Sequence, residues 1–160
     1  MSVIINVGIS DLNVTTPPGI LATYALGSCV GICLYDKTTK ISGLAHIMLP
    51  WSTEAVNGKS MPRRYADTGI AELVATMNKK GAMTRNMVAK IAGGAQMFST
   101  ISSAFNIGER NVEAVTKILY NMHIPIVARQ TGENFGRTVF FNSETGMMEI
   151  KSATRPTIII

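Results

Sequence analysis

The sequence predicts a mixed α+β domain. Short apolar runs of strand length recur along the 160 residues, two segments carry the apolar spacing of amphipathic helices, and no repeat or linker divides the chain. Strands and helices in this mixture favour an α+β fold with packed layers. We therefore expect a single domain over residues 1–160 with one substantial core.

The strands are predicted from apolar runs bounded by turn residues, and the helices from apolar residues at spacings of three and four. Ile70, Leu73, Val74 and Met77 define the first helix, and Gly81 is its predicted end. Asn106 followed by Glu109 resembles a capping box before the second helix. Pro50, Gly58 and Pro62 predict a loop at 50–64. The predicted strands are 3–7, 20–26, 29–35, 41–48, 87–92, 124–129, 137–142 and 146–151, and the predicted helices are 65–80 and 109–122.

Composition excludes several classes of protein. Hydrophobic residues make up 46% of the chain and charged residues 16%, which is typical of a globular protein and not of a disordered one. No apolar run approaches the roughly 18 residues that a spanning helix needs, so no membrane insertion is expected. The start, "MSVIINVGIS", lacks the features of a secretory signal. Two cysteines without an export signal predict reduced thiols and a cytoplasmic location.

The net charge of +5 permits acidic partners, including nucleic acid. The basic residues are scattered, however, with dense spots only at Arg63–Arg64 and at Lys79–Lys80. An acidic protein partner or simple solubility explains the same charge. We therefore expect no nucleic-acid binding.

The segment "TYALGSCVGICLYD" and the nearby "GLAHIMLP" hold the candidate reactive groups. If the two runs form a hairpin with their aliphatic faces together, opposed residues share a face. Cys29, Cys33 and His46 then all lie on the other face, in every register that keeps the aliphatic face intact. A tight turn at Lys37–Thr38 would place Cys29 directly opposite His46. The aliphatic positions are Val30, Ile32 and Leu34 in the first run and Ile41, Ala45 and Ile47 in the second.

Three interpretations of these groups stay open on the residues alone. Cys29 and Cys33 could be core packing, since free cysteines are among the most buried residues. Cys29 could instead be a nucleophile whose pKa is lowered by His46, with the backbone N–H groups of Ser28 and Cys29 holding an oxyanion. With His46 the two cysteines also offer three zinc ligands, but no second Cys/His pair follows, so no metal site is expected.

Six segments in order, with matching spacing, resemble the chemoreceptor glutamine deamidase family, CheD. The resemblance spans residues 8–151. Any one segment would be weakly specific, whereas six in sequence are specific. They are "TYALGSCVGICLYD", "GLAHIMLP", "RYADTGIAELV", "AKIAGGAQMF", "NIGERNVEAV" and "TGENFGRTVFFNSETG".

The resemblance implies a protein-glutamine glutaminase that converts glutamine side chains of chemoreceptors to glutamate and ammonia. The family's catalytic cysteine, histidine and threonine fall on Cys29, His46 and Thr23, and no metal or organic cofactor is implied. The implied fold has two packed mixed or antiparallel sheets flanked by helices, in the order α/β/β/α, resembling toxin-type cysteine deamidases.

The resemblance also implies two partners: chemoreceptor cytoplasmic helices as substrate, and a CheC-type phosphatase that inhibits the enzyme. The predicted partner surface includes Gly93, Gly94 and Phe98, with the 50–64 loop and "TGENFGRT" nearby. A non-catalytic binding module that regulates such a phosphatase is the alternative function.

Overall fold

The computed structural model describes residues 2–97 and 106–160. Its strands form two mixed five-stranded sheets, and two α-helices accompany them. The first sheet has the order β1-β3-β8-β9-β10 and the second β2-β5-β4-β6-β7. The elements are β1 Ile4–Asn6, β2 Asp11–Thr15, β3 Ile20–Leu26, β4 Val30–Asp36, β5 Ser42–Ile47, α1 Ala66–Lys79, β6 Met87–Gly93, α2 Ile107–Asn121, β7 Ile126–Thr131, β8 Arg137–Asn142, β9 Met147–Lys151 and β10 Ile158–Ile159.

The two sheets pack face to face, which confirms the predicted α+β class. The layer between them is apolar and is built from both sheets. Alternating residues of a strand point to opposite faces, so each central strand contributes every second side chain to this layer. Its members include Leu21, Leu26, Cys33, Leu44, Val139, Phe141 and Met148.

Both helices pack on the outer face of the second sheet. Helix α1 lies against β2 and β5, α2 lies against β4, β6 and β7, and the two helices contact each other. The layer order among the described residues is therefore helices, second sheet, first sheet. No helix of residues 2–97 and 106–160 covers the first sheet's outer face, so the fourth layer of the predicted α/β/β/α order is not found there.

The predicted helix ends are confirmed. Gly81 follows Lys80, the C-cap of α1, and has a φ of +109°, a conformation that favours glycine and ends the helix. The Asn106 side chain accepts a hydrogen bond from the Glu109 N–H, which is the predicted N-cap. The loop at 50–64 contains three short 3-10 turns. Among the described helices, none is long and apolar enough to cross a membrane.

Candidate active site

Strands β4 and β5 form the predicted hairpin, and its residues lie on the predicted faces of the sheet. Cys33 pairs with Leu44, and both point away from the helices into the layer between the sheets. Val30, Ile32, Ala45 and Ile47 point toward the helices.

The predicted direct opposition of Cys29 and His46 is wrong. Gly31 faces His46, and continuing the same register places Met48 opposite Cys29. The reason is the turn, which holds the four residues 37–40 where two were expected. The Asp36 N–H donates to the Ile41 carbonyl, and the Asp36 carboxylate accepts from the N–H groups of Thr38 and Thr39. Cys29 is therefore a diagonal neighbour of His46 on the same face of the sheet, a relation that separates residues by about 7–8 Å.

Gly31 leaves the position opposite His46 open for groups from the first sheet. A Cβ built on Gly31 would lie 3.1 Å from Leu26 Cδ1 and 3.6 Å from the methyl carbon of Thr23. The missing side chain therefore allows strand β3 to approach His46 closely.

A β-bulge in β3 separates Thr23 from Leu26. The pairing with β8 shifts between these two residues, and Ala25 adopts a φ of +58°. Thr23 and Leu26 are both fully buried, although a regular strand would point them to opposite faces. The bulge therefore keeps Thr23 in the interior while it redirects the chain toward Cys29.

The Thr23 hydroxyl fixes the orientation and the tautomer of His46. Its oxygen lies 2.7 Å from Nδ1 of His46 and 2.7 Å from the Val7 carbonyl oxygen. The carbonyl can only accept, so the single hydroxyl proton goes to Val7, and the hydroxyl oxygen must accept from Nδ1–H. In this tautomer Nε2 of His46 carries a lone pair and can take a proton.

Nε2 of His46 is buried and has no hydrogen-bond partner among the described residues. His46 is only 2% exposed, and burial lowers its pKa from 6.5 to about 4. Burial also raises the pKa of the Cys29 thiol, whose residue is 9% exposed. The sequence-based expectation of a lowered Cys29 pKa is therefore corrected: desolvation outweighs the opposing contact with the residue's own backbone N–H, so burial favours the neutral form of both groups.

The segment from Gly27 to Cys29 is held through its carbonyl groups. The Gly27 carbonyl accepts from the Ala95 N–H and the Cys29 carbonyl from the Gly94 N–H, both at 2.8 Å. The Ser28 carbonyl accepts from the Asn111 side-chain amide at 2.9 Å. Among the described residues, the N–H groups of Ser28 and Cys29 donate to no other residue. The oxyanion role expected of these two N–H groups stays a prediction.

Gly93 and Gly94 lie behind this segment and are buried. A Cβ on Gly93 would lie 2.3 Å from the Cys29 carbonyl oxygen, and one on Gly94 would lie 2.3 Å from Val112 Cγ2. Their predicted role as a partner surface is not supported by this placement, because close packing against Cys29 hides them. Phe98, the third residue predicted for that surface, lies outside the described residues.

Cys33 is 1% exposed and belongs to the apolar layer between the sheets. Burial raises the pKa of its thiol well above the usual range. Such a thiol stays protonated and unreactive at neutral pH. This environment supports a packing role for Cys33.

A thiol, an imidazole with an available Nε2 and a hydroxyl on Nδ1 are the groups that a cysteine hydrolase uses. The two sheets join the Thr23 hydroxyl to His46, and Cys29 directly precedes β4, the strand that pairs with the strand of His46. The chain belongs to the CheD family: the family model described as CheD chemotactic sensory transduction matches residues 48–152.

Relatives match almost the full length of the chain. A "Probable chemoreceptor glutamine deamidase CheD" of Caldanaerobacter subterraneus subsp. tengcongensis is 50% identical over 94% of both chains. One of Lachnoclostridium phytofermentans is 49% identical over 98% of both. The "Chemoreceptor glutamine deamidase CheD" of Halalkalibacterium halodurans is 46% identical over 95% of both. A solved Bacillus licheniformis structure, hypothetical protein YfiH, is 19% identical with a TM-score of 0.45, covering 78% of this chain and 49% of that one.

Reasoning from the residues alone did not identify Thr23 or Asn111. Thr23 was identified only through the family resemblance. The sequence does carry a signal, because Thr23 is a polar residue on the same strand face as the apolar Leu21. Asn111 had a signal as well: it lies in the buried stripe of α2, four positions before Val115.

Proposed function

We propose that this chain hydrolyses the side-chain amide of selected chemoreceptor glutamines to glutamate and ammonia. Membership of the CheD family and the names of relatives at 46–50% identity support the reaction. The observation that carries the mechanism is the bond between the Thr23 hydroxyl and Nδ1 of His46, because it leaves Nε2 as the only proton acceptor of the ring.

The first half of the reaction forms a thioester. Nε2 of His46 takes the proton of the Cys29 thiol as the sulfur attacks the amide carbon. The N–H groups of Ser28 and Cys29 stabilise the oxyanion of the tetrahedral intermediate. The proton then passes from His46 to the amide nitrogen, the carbon–nitrogen bond breaks and ammonia leaves.

The second half consumes water. His46 takes a proton from a water molecule, and the resulting hydroxide attacks the thioester carbon. The carbon–sulfur bond breaks, and the thiolate recovers its proton from His46. The receptor is released with a glutamate side chain in place of glutamine. Both halves need a neutral resting imidazole, which the lowered pKa of His46 provides.

Thr23 acts on the imidazole. Its hydroxyl holds the ring in one orientation and stabilises the imidazolium that forms transiently. The burial of His46 would otherwise disfavour that charged form, so we expect the hydroxyl contact to gain strength as the reaction proceeds.

The proposal includes a cytoplasmic location, chemoreceptor cytoplasmic helices as substrate and a CheC-type phosphatase as a regulatory partner. If the chain worked only as a binding module for that phosphatase, loss of the Cys29 thiol would leave signalling output unchanged.

The two cysteines provide a matched test. Purified wild type, Cys29→Ala and Cys33→Ala are incubated with a chemoreceptor cytoplasmic fragment, and intact mass and ammonia are measured. Wild type and Cys33→Ala are expected to add about one dalton per modified glutamine with release of ammonia, and Cys29→Ala is expected to do neither. Activity that survives in Cys29→Ala would exclude Cys29 as the nucleophile.

A further inference from the structure

Asn111 is a fully buried polar residue of helix α2 that contacts two backbone segments of the site. Its Nδ2 donates to the Ser28 carbonyl and to the Met48 carbonyl, both at 2.9 Å. Both hydrogens of the amide group are thereby used, which also fixes the orientation of the side chain, because the reverse orientation would set Oδ1 against two carbonyl oxygens.

The two carbonyls flank the nucleophile. Ser28 precedes Cys29, and Met48 lies opposite Cys29 when the β4–β5 register is continued. The last pair of the ladder itself is Val30 with Ile47. Asn111 therefore joins the two chains at the point where their own pairing ends.

A peptide unit transmits this contact to the other side of the segment. The Ser28 carbonyl and the Cys29 N–H belong to one planar trans peptide, in which the two groups point in opposite directions. Holding the carbonyl toward α2 turns the Cys29 N–H away from the helix. That N–H also lies close enough to its own sulfur to favour the thiolate, in opposition to the larger effect of burial.

The Oδ1 atom of Asn111 is buried and has no hydrogen-bond partner among the described residues. Buried polar atoms are normally paired, and an unpaired one lowers stability. The donor half of the amide is the part that the site uses.

We propose that Asn111 is a positioning residue that orients the Cys29 N–H as an oxyanion donor. This inference rests on the proposed site. Loss of the contact lets the Ser28–Cys29 peptide rotate, so that the donor no longer points at the position where the oxyanion forms.

The test compares Asn111→Asp, which keeps the shape but leaves at most one donor, the hydroxyl of a protonated carboxyl, with Ser143→Ala. Ser143 is an equally buried polar residue whose hydroxyl bonds the Gly19 carbonyl, away from Cys29. For each protein we measure Tm, kcat and KM on a receptor fragment, and the rate of Cys29 alkylation by iodoacetamide in a Cys33→Ala background. Alkylation needs the thiol but forms no oxyanion. It therefore distinguishes a loss of the oxyanion donor from a loss of thiol reactivity.

Asn111→Asp is expected to lower kcat by about 10- to 100-fold, with KM and the alkylation rate within about threefold of wild type. Ser143→Ala is expected to lower Tm and leave kcat unchanged. If Asn111→Asp does not fold, Asn111→Ala is judged by the same criteria. A folded variant with wild-type kcat, or a parallel loss of kcat and alkylation, overturns the inference. A wild type that releases no ammonia overturns the proposed function instead, and the inference with it.

Discussion

The Thr23 hydroxyl and Nδ1 of His46 are hydrogen-bonded across two different sheets. Thr23 belongs to β3 of the first sheet and His46 to β5 of the second. The orientation of the proposed base therefore depends on how the sheets pack. A substitution at Thr23 tests this dependence directly.

Thr23→Val keeps the shape of the side chain but removes the hydroxyl. A hydrogen bond to a charged group contributes about 1.5–3 kcal/mol, so kcat is expected to fall by about 10- to 100-fold. Thr23→Ser retains the hydroxyl and is expected to retain most of the activity. Ammonia release from a receptor fragment measures both. A Thr23→Val protein with wild-type kcat would show that Thr23 does not orient the base.

The buried, neutral His46 makes the free energy of unfolding depend on pH. Its pKa is about 4 in the folded protein against 6.5 when unfolded, so the unfolded chain binds the proton more readily. This contribution is complete above pH 6.5 and is lost as the pH falls to 4, a loss of about 3 kcal/mol. Urea denaturation of wild type and His46→Gln at pH 7 and pH 4 measures it. The wild type is expected to lose more stability than the variant, and equal losses would contradict the assigned pKa.

Gly93 and Gly132 provide a matched pair for testing the support behind Cys29. Both have a positive φ, but a Cβ on Gly93 would lie 2.3 Å from the Cys29 carbonyl oxygen, whereas one on Gly132 would meet nothing within 4 Å. Gly132→Ala is expected to cost about 1 kcal/mol from backbone strain alone. Gly93→Ala is expected to cost several kcal/mol and to lower kcat, because it displaces the nucleophile segment. Unfolding curves and ammonia release test both, and equal effects would exclude the clash.

His123 ends helix α2 in a conformation better suited to glycine. Its φ is +59°, its N–H donates to the Tyr120 carbonyl, and its side chain is exposed. His123→Gly relieves the strain and is expected to raise the free energy of unfolding by about 0.5–1 kcal/mol, after allowing for the entropy that glycine adds to the unfolded chain. Thermal unfolding gives the change, and kcat is expected to stay constant. A lower Tm would show that the imidazole itself stabilises the helix end.

The local sequence pattern predicted the elements in which apolar and polar residues alternate or recur with a clear period. Strand β8 has the predicted bounds, and the alternation of Val30, Ile32 and Leu34 correctly placed Cys33 and His46 on one face. Strand β2 was not predicted, because its sequence "DLNVT" buries only Leu12 and Val14. Strand β10 was not predicted either, because its two residues are too few to show an alternating pattern.

The site was less predictable because it depends on contacts between distant segments. The turn of residues 37–40 shifted the partner of His46 from Cys29 to Gly31, and a local pattern does not give turn length. The contact of Thr23 requires knowing that β3 joins the other sheet and that a bulge follows Thr23. Asn111 reaches Ser28 across 83 positions of sequence.

The bulge at Tyr24–Ala25 has a consequence for evolution and for engineering. Tyr24 and Ala25 are exposed, but Tyr24 packs edge to face on Phe140 and Ala25 has a positive φ. The length of the segment between Thr23 and Cys29 is constrained at both ends. Another aromatic residue should be accepted at position 24, and position 25 should accept glycine more readily than a β-branched residue. A deletion of one residue there would remove the bulge and leave Thr23 and Leu26 two positions apart, on one face of a regular strand. The hydroxyl would still point inward, but the path from Thr23 to Cys29 would be one residue shorter. The length of this short segment therefore sets the position of Cys29 relative to Thr23, and a change of length there should lower activity even when both residues are kept.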